Sequence, residues 1–340
     1  MYQIKTSPKK PLYYLIAIIY TTIITFPVAA EWTVVQESDP DIRDYMAITF
    51  TDGKTGWVAG AAVLDDFENP GFIGYSFNGG KSWHKSEIKI PAELTGIYFL
   101  DADHGWAIGQ KGLITNTTNG KDWDIQISKV DTTLRGIYFV NKDVGYAVGE
   151  NQTILSSKNG GRTWKVLDGG IVGNVGDDET SMFNAMQFLD ESTGWIAGIR
   201  VFPAKKQQKT IIQKTTDGGE TWTLQETGKE DIIEDIFFID ESTGWAVGEN
   251  GIILYTDNSG KTWSDQVSGT EETIRSVAFA DSKVGWAVGG DFGVGVILST
   301  TDGGQSWKVE TQKQKMVKVH VLDKKNAWLA GASGLILKSK

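Results

Sequence analysis

Two short motifs alternate along residues 31–340, and this repetition restricts the chain to folds made by placing copies of one supersecondary unit side by side. The first motif is Gly-Trp-Ala-Val-Gly or a close variant. It stands at 56–60, 105–109, 145–149, 194–198, 244–248 and 285–289, with a degenerate seventh copy at 327–331. A Phe precedes the aromatic of each copy by seven residues: Phe50, Phe99, Phe139, Phe188, Phe238 and Phe279, replaced by Val321 in the last. The second motif has the form Ser/Thr-x-Asp/Asn-x-Gly-x-Ser/Thr-Trp. It occurs at 76–83, 157–164, 215–222, 256–263 and 300–307, with a shortened copy at 117–123.

The second motif is an Asp box, and six copies in register make the match specific where one would not. Its Asp or Asn oxygen is suited to accept backbone N–H bonds, and its Gly to supply the positive φ of a tight hairpin. The Trp at its end buries on the order of 200 Å² between neighbouring units. Each unit reads as four short strands rich in β-branched and aromatic residues. In the third they fall at 135–140, 146–149, 153–156 and 164–167. The expectation is an all-β, seven-bladed β-propeller of four-stranded antiparallel blades, forming one domain over 31–340. Seven inner-strand motifs but six boxes leave the last blade one strand short, and Trp32–Gln36 resembles the strands that follow the boxes. That strand is expected to complete the blade built from 316–338, closing the ring by pairing the N-terminal strand with the C-terminal blade.

Residues 1–30 carry Lys5, Lys9 and Lys10 and no acid, then an apolar run from Leu12 to Phe26 and small residues at Val28-Ala29-Ala30. They read as a Sec signal peptide cleaved between Ala30 and Glu31, with an uncleaved anchor as the alternative. The expected location is extracytoplasmic: periplasm, thylakoid lumen or secreted. With no cysteine in the chain, a lipoprotein anchor and disulfides are excluded. Setting the leader aside leaves 30 basic against 43 acidic residues, a net charge of −13. Nucleic acid is therefore not expected as a partner, because phosphate neutralisation needs a basic footprint.

In this strand order the one-to-two and three-to-four hairpins share one face, and the two-to-three and four-to-one loops share the other. Length variation falls on the second face, at 61–74, 168–181, 199–209 and 290–295, which marks it as the candidate binding face. The residue four before each Phe should sit where the inner strand enters the central channel on that face. Around the ring these are Met46, Thr95, Arg135, Asn184, Glu234, Arg275 and Val317. The candidate partner-binding residues are Arg135, Arg275, Glu234, Asn184 and Thr95, with Arg43 approaching them. An Arg at such a mouth is able to grip a carboxylate bidentately. The plainer alternative has Arg135 and Arg275 paired with Glu234 or with solvent.

No catalytic, cofactor or metal site is expected. His84, His104 and His320 belong to different blades and show no metal-ligand spacing. Asp190-Glu191 and Asp240-Glu241 recur because the one-to-two turn recurs. A glycosidase needs two carboxylates across a sugar, about 5–10 Å apart. Asp65, Asp66, Glu68, Asp177, Asp178, Glu179 and Glu234 lie on the suitable face without any pair standing out.

The alternation of GWAVG-like strands with Asp boxes over nearly all of 31–340 resembles the photosystem II assembly and stability factors of cyanobacteria and plastids. The resemblance implies a lumenal seven-bladed propeller that acts without catalysis as a chaperone or scaffold for a newly made membrane subunit. Arginines at the inner-strand start are a feature of that family, and Arg135 and Arg275 match them. The missing lipobox cysteine and the acidic, arginine-poor channel face depart from it, so a generic extracytoplasmic platform is the expectation. Its partner would be a protein or peptide, with a membrane-protein segment or a carbohydrate also open, and the chain a monomer. Asp-box glycosidases such as sialidases share the boxes but use an arginine triad, whereas this chain has five arginines, none followed by Ile-Pro. A lectin-like propeller is a third class, with Phe67, Phe72 and Phe202 as stacking candidates.

Overall fold

In a computed structural model, residues 31–39, 41–62, 70–167, 179–291 and 293–340 are described, apart from the side chain of Arg43. Seven four-stranded antiparallel sheets follow one another around a ring. In the third blade the strands are Leu134–Phe139, Val144–Gly149, Ile154–Lys158 and Lys165–Val166, each within two residues of its sequence reading. The seventh blade comprises Met316–Asp323, Asn326–Gly331 and Ile336–Ser339, with Trp32–Gln36 as its outer strand. Trp32 pairs with Ser339 and Val34 with Leu337, so the ring closes through its two ends as expected.

The thirteen tryptophans are accounted for by the contacts between blades. In six of the seven blades the aromatic of strand two lies flat on the Phe of the next blade's inner strand. Trp57 on Phe99, Trp106 on Phe139, Tyr146 on Phe188, Trp195 on Phe238, Trp245 on Phe279 and Trp328 on Phe50 have centroids 3.5–4.1 Å apart. The box Trp of that next blade then meets the same Phe edge-on, as Trp164 meets Phe139 at 5.9 Å and 86°. Such stacked and edge-to-face pairs add to the area they bury.

The two glycines of each GWAVG copy have separate reasons. A Cβ on the first would strike the Phe ring: at Gly105 the nearest carbon of Phe99 is 2.4 Å away. In the seventh blade Val321 replaces the Phe, and the position paired with it is Ala327. The smaller side chain and the added methyl change together. A Cβ on the second glycine would meet the inner-strand backbone, 2.1 Å from the Thr133 carbonyl oxygen at Gly149 and 1.9 Å from that of Ile232 at Gly248.

At the box hairpins the bonding recurs. Asn159 Oδ1 accepts from the Thr163 N–H at 2.9 Å, and Ser157 Oγ from the Gly161 N–H at 2.8 Å. Strand-two indoles donate across to the next box, as Trp57 does to the Gly120 carbonyl at 2.8 Å and Trp106 to that of Gly160 at 3.0 Å. At the junction of blades six and seven no box faces Trp286: its indole N–H is buried without an acceptor, and its ring meets Trp32 edge-on at 6.1 Å. In each one-to-two turn an Asp or Asn caps the following N–H groups, from Asp52 and Asp101 through Asn141 to Asp323. The repeated acids there are turn chemistry.

Two of the proposed insertions prove to be strand extensions. Blade four has three nine-residue strands, Thr180–Phe188, Gly194–Phe202 and Gln207–Thr215. In blade one, Gly56–Ala62 and Gly71–Ser76 continue the sheet toward 63–69, so Phe72 is buried against Tyr45 instead of exposed. Its place as a surface stacking residue is withdrawn, because a side chain in a paired strand alternates toward the core. Phe202 is half-buried under Arg200 and Lys205. Phe67, Asp65, Asp66, Glu68, Asp177, Asp178 and the leader 1–30 lie outside the described residues.

Candidate functional site: the channel mouth

All seven inner strands line a central cavity of about 880 Å³, and Met46, Thr95, Arg135, Asn184, Glu234, Arg275 and Val317 all contribute to its wall. Each of these residues is skipped by the ladder to strand two. The register shifts between Leu94 and Gly96, Leu134 and Gly136, Phe183 and Ala185, Ile233 and Asp235, and Ile274 and Ser276, and likewise around Met46 and Val317. They are the extra residues of seven β-bulges, a device that re-aims a side chain and is common at functional sites. The second glycine of each motif stands opposite the bulge, where only hydrogen fits. Spacing from the Phe located these residues, and the bulge is why the spacing works.

The expected pairing of the arginines with Glu234 is not found. Arg135 donates to Glu150 at 2.7 Å, and Arg275 to Asp291 at 2.7 Å and to the Gly290 carbonyl at 3.2 Å. Both carboxylates come from the two-to-three loop of the same blade. Desolvation opposes ionisation of Glu150, but hydrogen bonds from Arg135 and Thr133 hold its carboxyl below the usual range. Desolvation likewise raises Asp291, and bonds from Thr273 and Arg275 outweigh it. Glu234, inside the cavity wall, is shifted upward because burial disfavours its charge.

Thr95 hydroxyl donates to the Leu134 carbonyl, tying blade two to blade three. Asn184 Nδ2 donates to the Ile233 carbonyl at 2.9 Å, tying blade four to blade five. Arg43 lies in the strand Ile42–Phe50, and its side chain falls outside the described residues.

Deeper in the channel, Asp235 joins three blades: it accepts from Ser276 Oγ at 2.7 Å, from the Val277 N–H at 3.2 Å and from Lys318 Nζ at 2.8 Å. The sequence reading missed this cluster and the acids Glu150 and Asp291. The loop acids were visible as carboxylates immediately following a GWAVG copy or its glycine. Asp235 carried no signal because its partners are 41 and 83 residues away.

The histidines stay apart. His84 stacks on Tyr75, His104 bonds Asp101 at 2.8 Å, and His320 is half-buried with its Nε2 2.8 Å from the Phe50 carbonyl oxygen. Burial pushes the His320 imidazole down to about 4. Among the described residues no group of three or more His, Asp and Glu side chains is placed to hold a metal.

Residues 115–225 match the family model described as photosynthesis system II assembly factor YCF48, and 75–85 match the BNR/Asp-box repeat. The chain is similar to the YCF48 assembly factors. Structures of YCF48 superpose on it: one bound to D1 peptide, at 16% identity and TM-score 0.66, covers 91% of this chain and 96% of its own. That of YCF48 from Cyanidioschyzon merolae, at 19% identity and TM-score 0.68, covers 91% and 98%. The WD40 propeller domain of Doa1 fits with TM-score 0.66 at 12% identity, covering 92% and 97%. At these identities the likeness shows the fold. A search of curated proteins finds no match.

Proposed function

We propose that the chain is a non-enzymatic platform that holds a protein or peptide segment over the channel mouth, on the face opposite the Asp boxes. The carrying observation is that seven equivalent bulges aim side chains of six different kinds into one cavity, while the GWAVG and box residues of the blades repeat. A fold needs the bulge, not the variety. The resemblance to YCF48, one structure of which is bound to D1 peptide, supports a polypeptide as the occupant. In this reading residues 1–30 export the chain, and it works outside the cytoplasm as a monomer; a membrane-protein segment is among the occupants it would accept.

The test is co-purification from the host's envelope fraction with the parent chain and with a Thr95→Trp/Arg135→Ala/Arg275→Ala variant. Loss of a discrete co-purifying protein from the variant is expected; the same protein recovered at the same yield would remove the mouth from the interface. Turnover of any chromogenic glycoside, abolished by one carboxylate substitution, would replace the platform with an enzyme.

A further inference from the structure

The mouth's charges are unevenly satisfied. Arg135 is held by Glu150, Arg275 by Asp291, and Lys318 by Asp235, each at 2.7–2.8 Å. Among the described residues the Glu234 carboxylate makes no hydrogen bond and no ion pair, although it lines the cavity with them. Burial raises its pKa against the pull of Arg275 and Arg135, and Glu249 and Asp235 add smaller contributions in the raising direction. One blade away stands Asn184, 9% exposed and in the same wall. Its amide orientation is fixed, because only Nδ2 can donate to the Ile233 carbonyl, and Ile233 immediately precedes Glu234. The Asn184 Oδ1 is then left as a buried acceptor with no donor.

We infer that the mouth receives a cationic side chain, a lysine ammonium or an arginine guanidinium, from the polypeptide it holds, with Glu234 as counter-ion and Asn184 Oδ1 as second acceptor. This rests on the platform reading above and adds the sign of the partner's charge. A half-buried carboxylate in the cavity wall and a buried amide oxygen, neither with a protein donor, both gain when a cation supplies one to each. A carboxylate at the same place would sit beside Glu234 and would have to displace Glu150 or Asp291 from an arginine already compensated. The net charge of −13 over residues 31–340 draws a cationic segment toward the protein from a distance. In this proposal the arginines, already held by the loop acids, do not supply the grip on a carboxylate that the sequence suggested.

The experiment uses immobilised pools of octapeptides, capped at both ends, with one position fixed as Lys, Arg, Gln or Glu and the others mixed. The parent chain is expected to be retained about tenfold better by the Lys and Arg pools than by the Glu pool at low salt. Glu234→Gln should bring the Lys and Arg pools down to the level of the Gln pool, while Glu234→Asp keeps a preference; circular dichroism of both variants controls for folding. A Glu-pool preference that disappears in Arg135→Ala/Arg275→Ala would overturn the cation while leaving the platform. A Lys and Arg preference unchanged by Glu234→Gln would also overturn it. Retention by none of the pools would remove the platform and the cation together.

Discussion

Two ends of every blade can be compared. At the box end, the hairpin between strands three and four is rebuilt five times with the same bonds, so that Ser76, Thr215 and Thr300 do one job for one backbone, and once in the shortened form at 117–123. At the mouth end, the bulge is rebuilt seven times with the same backbone but with side chains that range from apolar to acidic and basic. Repetition of a side chain marks what the ring needs in order to close. Its variation over an unvarying backbone marks what the ring presents.

The largest effect should come from breaking the bulge backbone. Gly149→Ala places a Cβ 2.1 Å from a carbonyl oxygen that cannot move without its strand. Urea unfolding should show a loss of about 3 kcal/mol or more. Gly228→Ala, at φ +70 with no atom within 4 Å, carries only the left-handed strain, about 1–2 kcal/mol. Next comes the Phe-facing glycine: Gly105→Ala should cost about 1–3 kcal/mol by overpacking. Its counterpart Ala327→Gly should cost about 1 kcal/mol or less. Equal losses at Gly105 and Ala327 would break the link between Val321 and Ala327.

A box change should cost less and leave capture alone. Asn159→Ala removes the acceptor of the Thr163 N–H, a loss of about 1–2 kcal/mol in chemical denaturation, with retention on the peptide pools unaltered. At the mouth the reverse is expected. Arg135→Ala disrupts a half-exposed ion pair worth about 1 kcal/mol or less, so its melting temperature should hardly move while partner capture changes.

Acid titration sets Glu234 apart from the turn and box carboxylates by sign. Asp281 is held down to about 2 by Lys324 and by the Val284 N–H, and the turn and box carboxylates Asp190, Asp240 and Asp217 are lowered by bonds from their own loops. Their contribution is complete above the unfolded carboxylate pKa of about 4 and is lost as pH falls through the folded values. Glu234 is raised, so its contribution is complete below its unfolded pKa and is lost as pH rises through the folded one. Asp281→Asn should therefore flatten the acid limb of the stability curve, and Glu234→Gln should raise stability at neutral pH; the opposite slopes would show that the two environments had been exchanged.

Much of this was legible beforehand because it is local. Box, turn and GWAVG residues act within one hairpin or on the next blade at a fixed separation, so the period reveals them. The strand Trp32–Gln36 was found by likeness to its counterparts. What escaped has no period. Glu150 and Asp291 reach the arginines because a loop folds back on a bulge, and Asp235 bridges three blades. Phe72 was misplaced because an extended sheet and a floppy insertion have similar composition.

The division between a structural end and a presenting end is tested most directly by photocrosslinking to the capped octapeptide pools, with a photoreactive residue at Thr95 of the mouth or at Lys158 beside a box. The expected result is adducts from position 95 and none from position 158. Adducts from 158 with none from 95 would contradict the account.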